Sequence, residues 1–329
     1  MAMVILSAWL SFGVAFSATE PSAPQDTSLS FHMDTTTLAL HDGDTPLFQY
    51  RYGDVPFKGY LQSWFTKKGV NLLSDAPEDH KHHHGLMYAV TVNDINFWEE
   101  AEDAGRQEHQ RFSNIQLETD SARFTTRVQW QEEDAQSRVL EEERTLIHHW
   151  IGDPAVQLLT WRSDLTRSRN HPSVSLTGTI YHGLGMRFPD FMAQKGSFFF
   201  ADDETGSFDD GPHHLAQASW CAYTVNDDNT PVTVAFFAAK DNARPTLWFT
   251  MKDPFAYLSA TFNLSRNPLT VEGPRPLSIL YGLASWDRVV DEATIEALYK
   301  EWCSLTHQQH REHFQPMRRP VHDHPRSRR

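Results

Sequence analysis

The chain has 329 residues and a formal net charge of −14. That length buries a sizeable core, as one large domain or two ordinary ones. The acidity argues against a general affinity for nucleic acid or an anionic membrane; neutral glycans fit it, and so would cationic ligands. Cys221 and Cys303 are the only cysteines; they could pair after export, but no disulfide scaffold is implied.

Residues 1–18, "MAMVILSAWLSFGVAFSA", are apolar, short for a bilayer span and close on small residues, as a signal peptide does. No Lys or Arg precedes Arg51, so the usual basic start is missing. Export to the periplasm or the extracellular space is expected. No later run reaches the length of a membrane helix, so no integral span is expected. Residues 19–27 read as a polar, prolyl linker.

From residue 28 to 305 the pattern is strand after strand. In "FTTRVQW", Phe124, Thr126, Val128 and Trp130 share one face, and Thr125, Arg127 and Gln129 the other. "YLSATFNL" alternates Leu258, Ala260, Phe262 and Leu264 inward with Tyr257, Ser259, Thr261 and Asn263 outward. "VQLLTWRSDL", "PVTVAFFA" and "LSILYGL" read as further strands. Alternation broken by Gly, Pro, Asn and Asp turns predicts an all-β protein, a large antiparallel β-sandwich with one wet face per sheet. The acidic run "QEEDAQSRVLEEER" reads as a solvated hairpin.

One C-terminal helix is predicted. "DEATIEALYKEW" offers Asp291 as N-cap, with Ile295, Leu298, Tyr299 and Trp302 at helical spacing. Residues 306–329 are basic and histidine-rich, and are expected to form a disordered tail. There is no internal repeat and no glycine-rich phosphate loop.

The chemistry concentrates in "DHKHHHGL", Asp79 to Leu86. On an extended backbone His80, His82 and His84 project together and His83 opposite, with same-face residues about 6.5–7 Å apart. Such imidazoles can hand over protons near neutral pH. Alternatively His80, His82 and His84 could hold a divalent metal, although no cofactor is firmly implied. Asp79 would orient an imidazole, and Gly85 would let the backbone pass close to a ligand. "RTLIHHW" is a strand pattern first, with at least one of His148 and His149 in polar surroundings.

The stretch resembles the Asp-His-x-His-His-x-Gly-Leu signature of the DUF6807 family, also called the PmoA or methane oxygenase PmoA family. Asp79, His80, His82, His83, Gly85 and Leu86 match it, and His84 stands where the family often has arginine. In the same order "NDINFW" (Asn93 to Trp98), "GRQEH" (Gly105 to His109), "YHGLGMR" (Tyr181 to Arg187) and "AAKDNARPTLW" (Ala238 to Trp248) resemble later family segments. His182 replaces a glycine of the family pattern, and the last segment is compressed in spacing. The resemblance covers about residues 45–288. It implies a galactose-mutarotase-like β-supersandwich and a role in handling carbohydrate. The methane-oxygenase label fits badly, because such a membrane subunit would need transmembrane helices.

The expected function is therefore an exported carbohydrate-active enzyme of glycoside hydrolase, lyase or epimerase type. It would cleave or rearrange a glycoside or oxidised sugar by histidine acid–base chemistry. His80, His82 and His83 form the catalytic centre, and Arg187 steadies developing negative charge. Arg106, His109, Asp241 and Asn242 position the sugar, while Trp98 and Trp248, with Trp64 in reserve, offer platforms for it. The alternatives are a non-catalytic glycan-binding sandwich and a metal-dependent oxidoreductase.

Overall fold

Alternation in the sequence becomes two large sheets in the computed structural model, which describes residues 29–133, 137–202, 204–227 and 229–313. The leader and linker expected at 1–18 and 19–27, and the tail beyond residue 313, lie outside the described residues.

The first sheet has ten strands, in the order Leu29–Met33, Thr37–Asp42, Thr45–Arg51, Tyr60–Trp64, Leu86–Ala89, Gly183–Arg187, Tyr257–Thr261, Leu247–Met251, His213–Gln217 and Thr205–Asp210. The second has eight, in the order Gly196–Phe200, Trp220–Val225, Val232–Ala238, Leu277–Trp286, Val156–Arg167, Arg138–His149, Ser121–Gln131 and Arg106–Leu117. A third sheet joins Leu269–Glu272, Ser173–Thr177, Thr91–Val92 and Ile95–Asn96. All pairings are antiparallel, for instance Arg187 with Tyr257 and Met251 with Tyr257. The protein is an all-β sandwich closed by one C-terminal helix, as the sequence predicts.

The inner faces of the two large sheets meet in one core, where Trp248 packs on Phe236 and Phe124 on Tyr50. Phe124, Thr126, Val128 and Trp130 are buried as their alternation requires. The hairpin that follows departs from a solvated reading. Glu142 and Arg144 are fully buried, while Glu141 and Glu143 point out. The strand's period of two makes the difference, since residues 142 and 144 fall on its inward face. Arg144 Nε and Nη2 both donate to Glu142 at 2.8 Å, and Nη1 crosses to Tyr50 Oη (3.0 Å) and Gly59 O (2.7 Å) on the other sheet. Trp130 Nε1 and Ser163 Oγ also donate to Glu142. A buried charge pair is tolerated where its remaining hydrogen-bonding groups are satisfied in this way.

The helix runs Glu292–His313, further than the tail's expected start at residue 306. Once a helix is nucleated and packed, extending it by polar residues without Gly or Pro costs little. Asp291 Oδ1 caps it by accepting from Thr294 N at 2.9 Å. Ile295, Leu298, Tyr299 and Trp302 lie against the outer face of the eight-stranded sheet, where Gly282 leaves room for the Trp302 ring. Strand Val232–Ala238 is consequently buried on both faces rather than on one. Trp302 Nε1 donates to Thr160 Oγ1, which also meets His149 Nε2, each at 2.8 Å. His148 Nε2 lies 2.7 Å from Gln157 Oε1. The "HH" doublet is thus core on both sides, each ring with one polar partner. Cys221 and Cys303 are both free.

Candidate functional site

The histidine stretch is a pair of turns, not extended chain. His80 N donates to Pro77 O at 3.1 Å and His83 N to His80 O at 2.9 Å. Tight turns bring residues three apart together, so the faces expected from extended geometry are exchanged. His80 stacks on His83 with ring centroids 4.6 Å apart, and His82 meets His83 edge-on at 4.6 Å. His84 points the other way. Gly85, at φ +42°, lets the turn cross strand Tyr60–Trp64, because a Cβ there would strike Leu61 O. Its role is a backbone crossing rather than an approach to ligand. Gly85 O then accepts from Arg187 N at 3.0 Å, which fixes the turn to strand Gly183–Arg187.

Each ring's protonation follows from its partners. Burial pushes the Asp79 carboxyl up, but hydrogen bonds from His80 and Arg187 win and hold it down at about 2. An ionised carboxylate only accepts, so His80 Nδ1–H donates to Asp79 Oδ2 at 2.9 Å and Nε2 keeps the lone pair. Arg187 Nη2 donates to both Asp79 oxygens (2.9 and 3.2 Å), and its guanidinium lies 3.5 Å over the Phe255 ring. The expected ligand-facing fork of Arg187 is therefore occupied by Asp79. Arg187 Nη1 approaches His83 Nδ1 at 3.4 Å, and arginine has no acceptor, so His83 Nδ1 accepts and Nε2 carries the proton. Burial, with His82, His80 and Arg187 nearby, lowers the His83 pKa to about 2, so this ring stays neutral. Burial also lowers the pKa of His82, against the pull of Glu99, whose Oε2 lies 3.5 Å from His82 Nε2.

The floor is the face of the ten-stranded sheet turned away from the core. Tyr257, Ser259 and Thr261, outward by alternation, are buried because loops roof that face. Tyr257 lies 5.2 Å from the His83 ring, and Gly185 beside it has no Cβ to clash with the Tyr257 hydroxyl. Trp98 arrives from the hairpin Thr91–Asn96, whose tip residues Asn93 and Asp94 have φ of 48° and 68°, the left-handed pair of a tight hairpin turn. Asn96 Oδ1 then accepts from Trp98 N (2.8 Å) and Glu99 N (3.1 Å), turning the chain so that Trp98 stacks on His182 at 5.1 Å. The result is a cleft of about 400 Å³ lined by His80, His82, His83, Glu99 and His213, with Trp98, Tyr181, Phe249, Met251, Phe255 and Tyr257 among its apolar walls. Tyr257 Oη and Trp98 Nε1 are buried there without a hydrogen-bond partner.

Behind the turn a buried chain of charges ties the two sides of the cleft. Lys58 Nζ donates to Trp98 O (3.0 Å) and Glu100 Oε1 (2.8 Å). His84 Nε2 donates to Glu100 (3.0 Å) and Nδ1 to Asp75 (2.8 Å), which also accepts from Gln62 and Tyr60. Burial pushes the His84 pKa down, but the two carboxylates overcome this and leave it raised. With both nitrogens donating, His84 has no lone pair for a metal, so the set His80, His82 and His84 is not assembled. Among the described residues no group of three or more His, Cys, Asp or Glu is arranged to hold a metal.

Other residues expected at the site lie elsewhere. Arg106 donates to Pro56 O and covers Phe57, and His109 Nδ1 pairs with Thr126 Oγ1 on the eight-stranded sheet. Asn242 clamps the Leu280 backbone from both its amide atoms, with Asp241 beside it in a separate hollow with Cys303. Trp248 is on the inward face, its Nε1 bound to Ala218 O, and Trp64 is fully buried. The structure brings together His80, His82, His83, Arg187 and Trp98. Glu99, Tyr181, His213, Phe255 and Tyr257 join them without a sequence signal of their own, except Glu99, an acid directly after the "NDINFW" segment.

A family model described as "Family of unknown function (DUF6807)" matches residues 37–300. No curated protein matches the sequence. Among solved structures the chain is similar to the GH36 α-galactosidase AgaB from Geobacillus stearothermophilus, at 9% identity and a TM-score of 0.48, over 79% of this chain and 41% of that one. It is also similar to a galactose mutarotase related enzyme from Lactobacillus acidophilus, at 7% identity and a TM-score of 0.41, over 80% of this chain and 100% of that one. The chain thus spans about two-fifths of the α-galactosidase. No helix among the described residues is long and apolar enough to cross a membrane.

Proposed function

This chain belongs to the DUF6807 family, and we propose that it is a carbohydrate-acting enzyme that moves protons at a saccharide hydroxyl through His80 and His83. One observation carries the reading. Two stacked imidazoles, 4.6 Å apart, turn their Nδ1 edges to the Asp79–Arg187 pair and their Nε2 edges to one cleft, a lone pair on His80 and an N–H on His83. A hydroxyl is donor and acceptor at once, so it matches that pair where a carboxylate or an ammonium would not.

The chemistry follows from the same partners. Asp79 orients His80 and stabilises the imidazolium formed when Nε2 takes a proton, as a positioned carboxylate does for a general base. Neutral His83 steadies negative charge developing on the same oxygen through its Nε2–H. His82 beside Glu99 is a second proton carrier, edge-on to both rings at 4.6 Å from His83 and 5.7 Å from His80. The aromatic walls suit the apolar faces of a sugar ring. In hydrolysis His80 would take the proton of the attacking water; in elimination or epimerisation it would take the C–H proton beside a carbonyl, while the His83 N–H holds the oxygen that receives the charge. The apolar leader supports export.

Incubating the protein with a panel of oligosaccharides, aryl glycosides and keto-sugars, read by mass spectrometry with isotope-labelled water or deuterium exchange at ring carbons, tests the proposal. A consumed or exchanged saccharide is expected. Binding across the panel with neither conversion nor exchange would contradict it and favour a glycan-binding sandwich.

A further inference from the structure

We infer that the saccharide this cleft accepts is uncharged, and that Glu99 turns uronic acids away. The inference rests on the carbohydrate reading above and concerns only the charge of its ligand.

The cleft holds few charges. Neither lysine nor arginine lines it. The nearest guanidinium, Arg187, is buried and spends both Nη2 contacts on Asp79, so that pair is neutral as a unit. Lys58 is buried behind the wall and paired with Glu100. His83, at the centre, is neutral. Glu99 is left as the carboxylate lining the cleft, and its contact with His82, at 3.5 Å, is to a ring that burial disfavours charging. An incoming carboxylate would meet this negative charge with no cation to fork onto.

What the cleft does offer suits neutral oxygens. The His83 Nε2–H is an uncharged donor, and His80 Nε2 is an uncharged acceptor. Phe249, Met251, Phe255 and Tyr257 supply apolar surface that a ring face covers without desolvating a charge. The electrostatics of the whole chain, at −14, act in the same direction at longer range.

The test uses matched probes: gluco-, galacto- and manno-configured disaccharides and their uronate counterparts, titrated calorimetrically into the full chain at low and moderate salt. For the configuration that binds, the neutral member should bind about tenfold or more tightly than its uronate, a gap set by one like-charge contact in a partly screened site. Glu99→Gln should close most of that gap by strengthening the uronate, and added salt should narrow it in the native protein. Uronates binding as tightly as neutral sugars, or Glu99→Gln leaving the gap unchanged, would overturn the inference while the carbohydrate reading stands. Binding of neither series would overturn both.

Discussion

Replacing His80 with alanine is expected to lower turnover of the saccharide by about 10²–10⁴-fold, the range a positioned general base contributes. The side chain sits at the rim of the cleft, with Asp79 on one ring nitrogen and the cleft before the other. It makes no hydrogen bond into the core, so the strand frame should survive with its near-ultraviolet spectrum unchanged. Asp79→Asn separates orientation from bulk. An amide can donate as well as accept, so it no longer enforces the Nδ1–H form of His80, and it leaves Arg187 without its charge partner. Turnover should fall in the same direction, with the acidic limb of the pH–rate profile displaced, a shift that simple loosening of the turn would not produce. Native turnover in a folded His80→Ala protein would remove this ring from the chemistry.

The second large effect is on stability. Lowering the pH from 7 to 5 is expected to cost about 6 kcal/mol of folding free energy through three buried histidines, His148, His149 and His182. Burial pushes the pKa of His148 down to about 3, that of His149 to about 4 and that of His182 to about 3. In the unfolded chain each titrates near its ordinary value of 6.5. Above that value both states are neutral and these rings contribute nothing. As pH falls below it the unfolded state takes up protons that the folded state refuses, so stability drops until the folded pKa is reached. Each ring loses about 2 kcal/mol by pH 5, at about 1.4 kcal/mol per unit. His84, with its raised pKa, acts the opposite way: its contribution is complete below 6.5 and lost on the alkaline side. Carboxylates held low, such as Asp79 and Glu100 at about 2, give up their share only below the ordinary carboxylate range. Urea titrations at the two pH values check this; an unchanged midpoint would contradict the burial of these rings as neutral groups.

These residues also show what a sequence can and cannot reveal. Alternation in "FTTRVQW" and the spacing of Ile295, Leu298, Tyr299 and Trp302 encode local geometry, and the fold follows them. The same alternation marks Tyr257 and Ser259 as outward, which is geometrically right. Their burial depends on loops from residues 79–85 and 97–100 that roof the sheet, and nothing local announces that. Glu142 and Arg144 were hidden in an acidic run, because burying a charge depends on a partner across the sandwich, Tyr50 and Gly59, far away in sequence.

The candidate site divides in the same way. "DHKHHHGL" is visible as chemistry, but whether it is a strand or a turn decides which imidazoles converge, and Pro77 and Gly85 decide for the turn. Arg187 and Trp98 could be picked as polar or aromatic residues in motifs; that the first serves Asp79 and the second lines the cleft needed the fold. Arg106, His109, Asp241 and Asn242 look functional by residue type alone. Each instead satisfies a backbone or side-chain group of the frame or borders a different hollow, a use that residue type cannot distinguish from ligand binding.

Nitrogen-15 spectra of the imidazole rings, with and without a bound neutral saccharide, address the claim that His80 and His83 present complementary edges to one hydroxyl. His80 should be protonated at Nδ1 and His83 at Nε2 when neutral, His83 should resist protonation well below pH 5, and both free-edge nitrogens should shift on addition of the sugar. Matching tautomers on the two rings, or a saccharide that binds while leaving both unmoved, would contradict it.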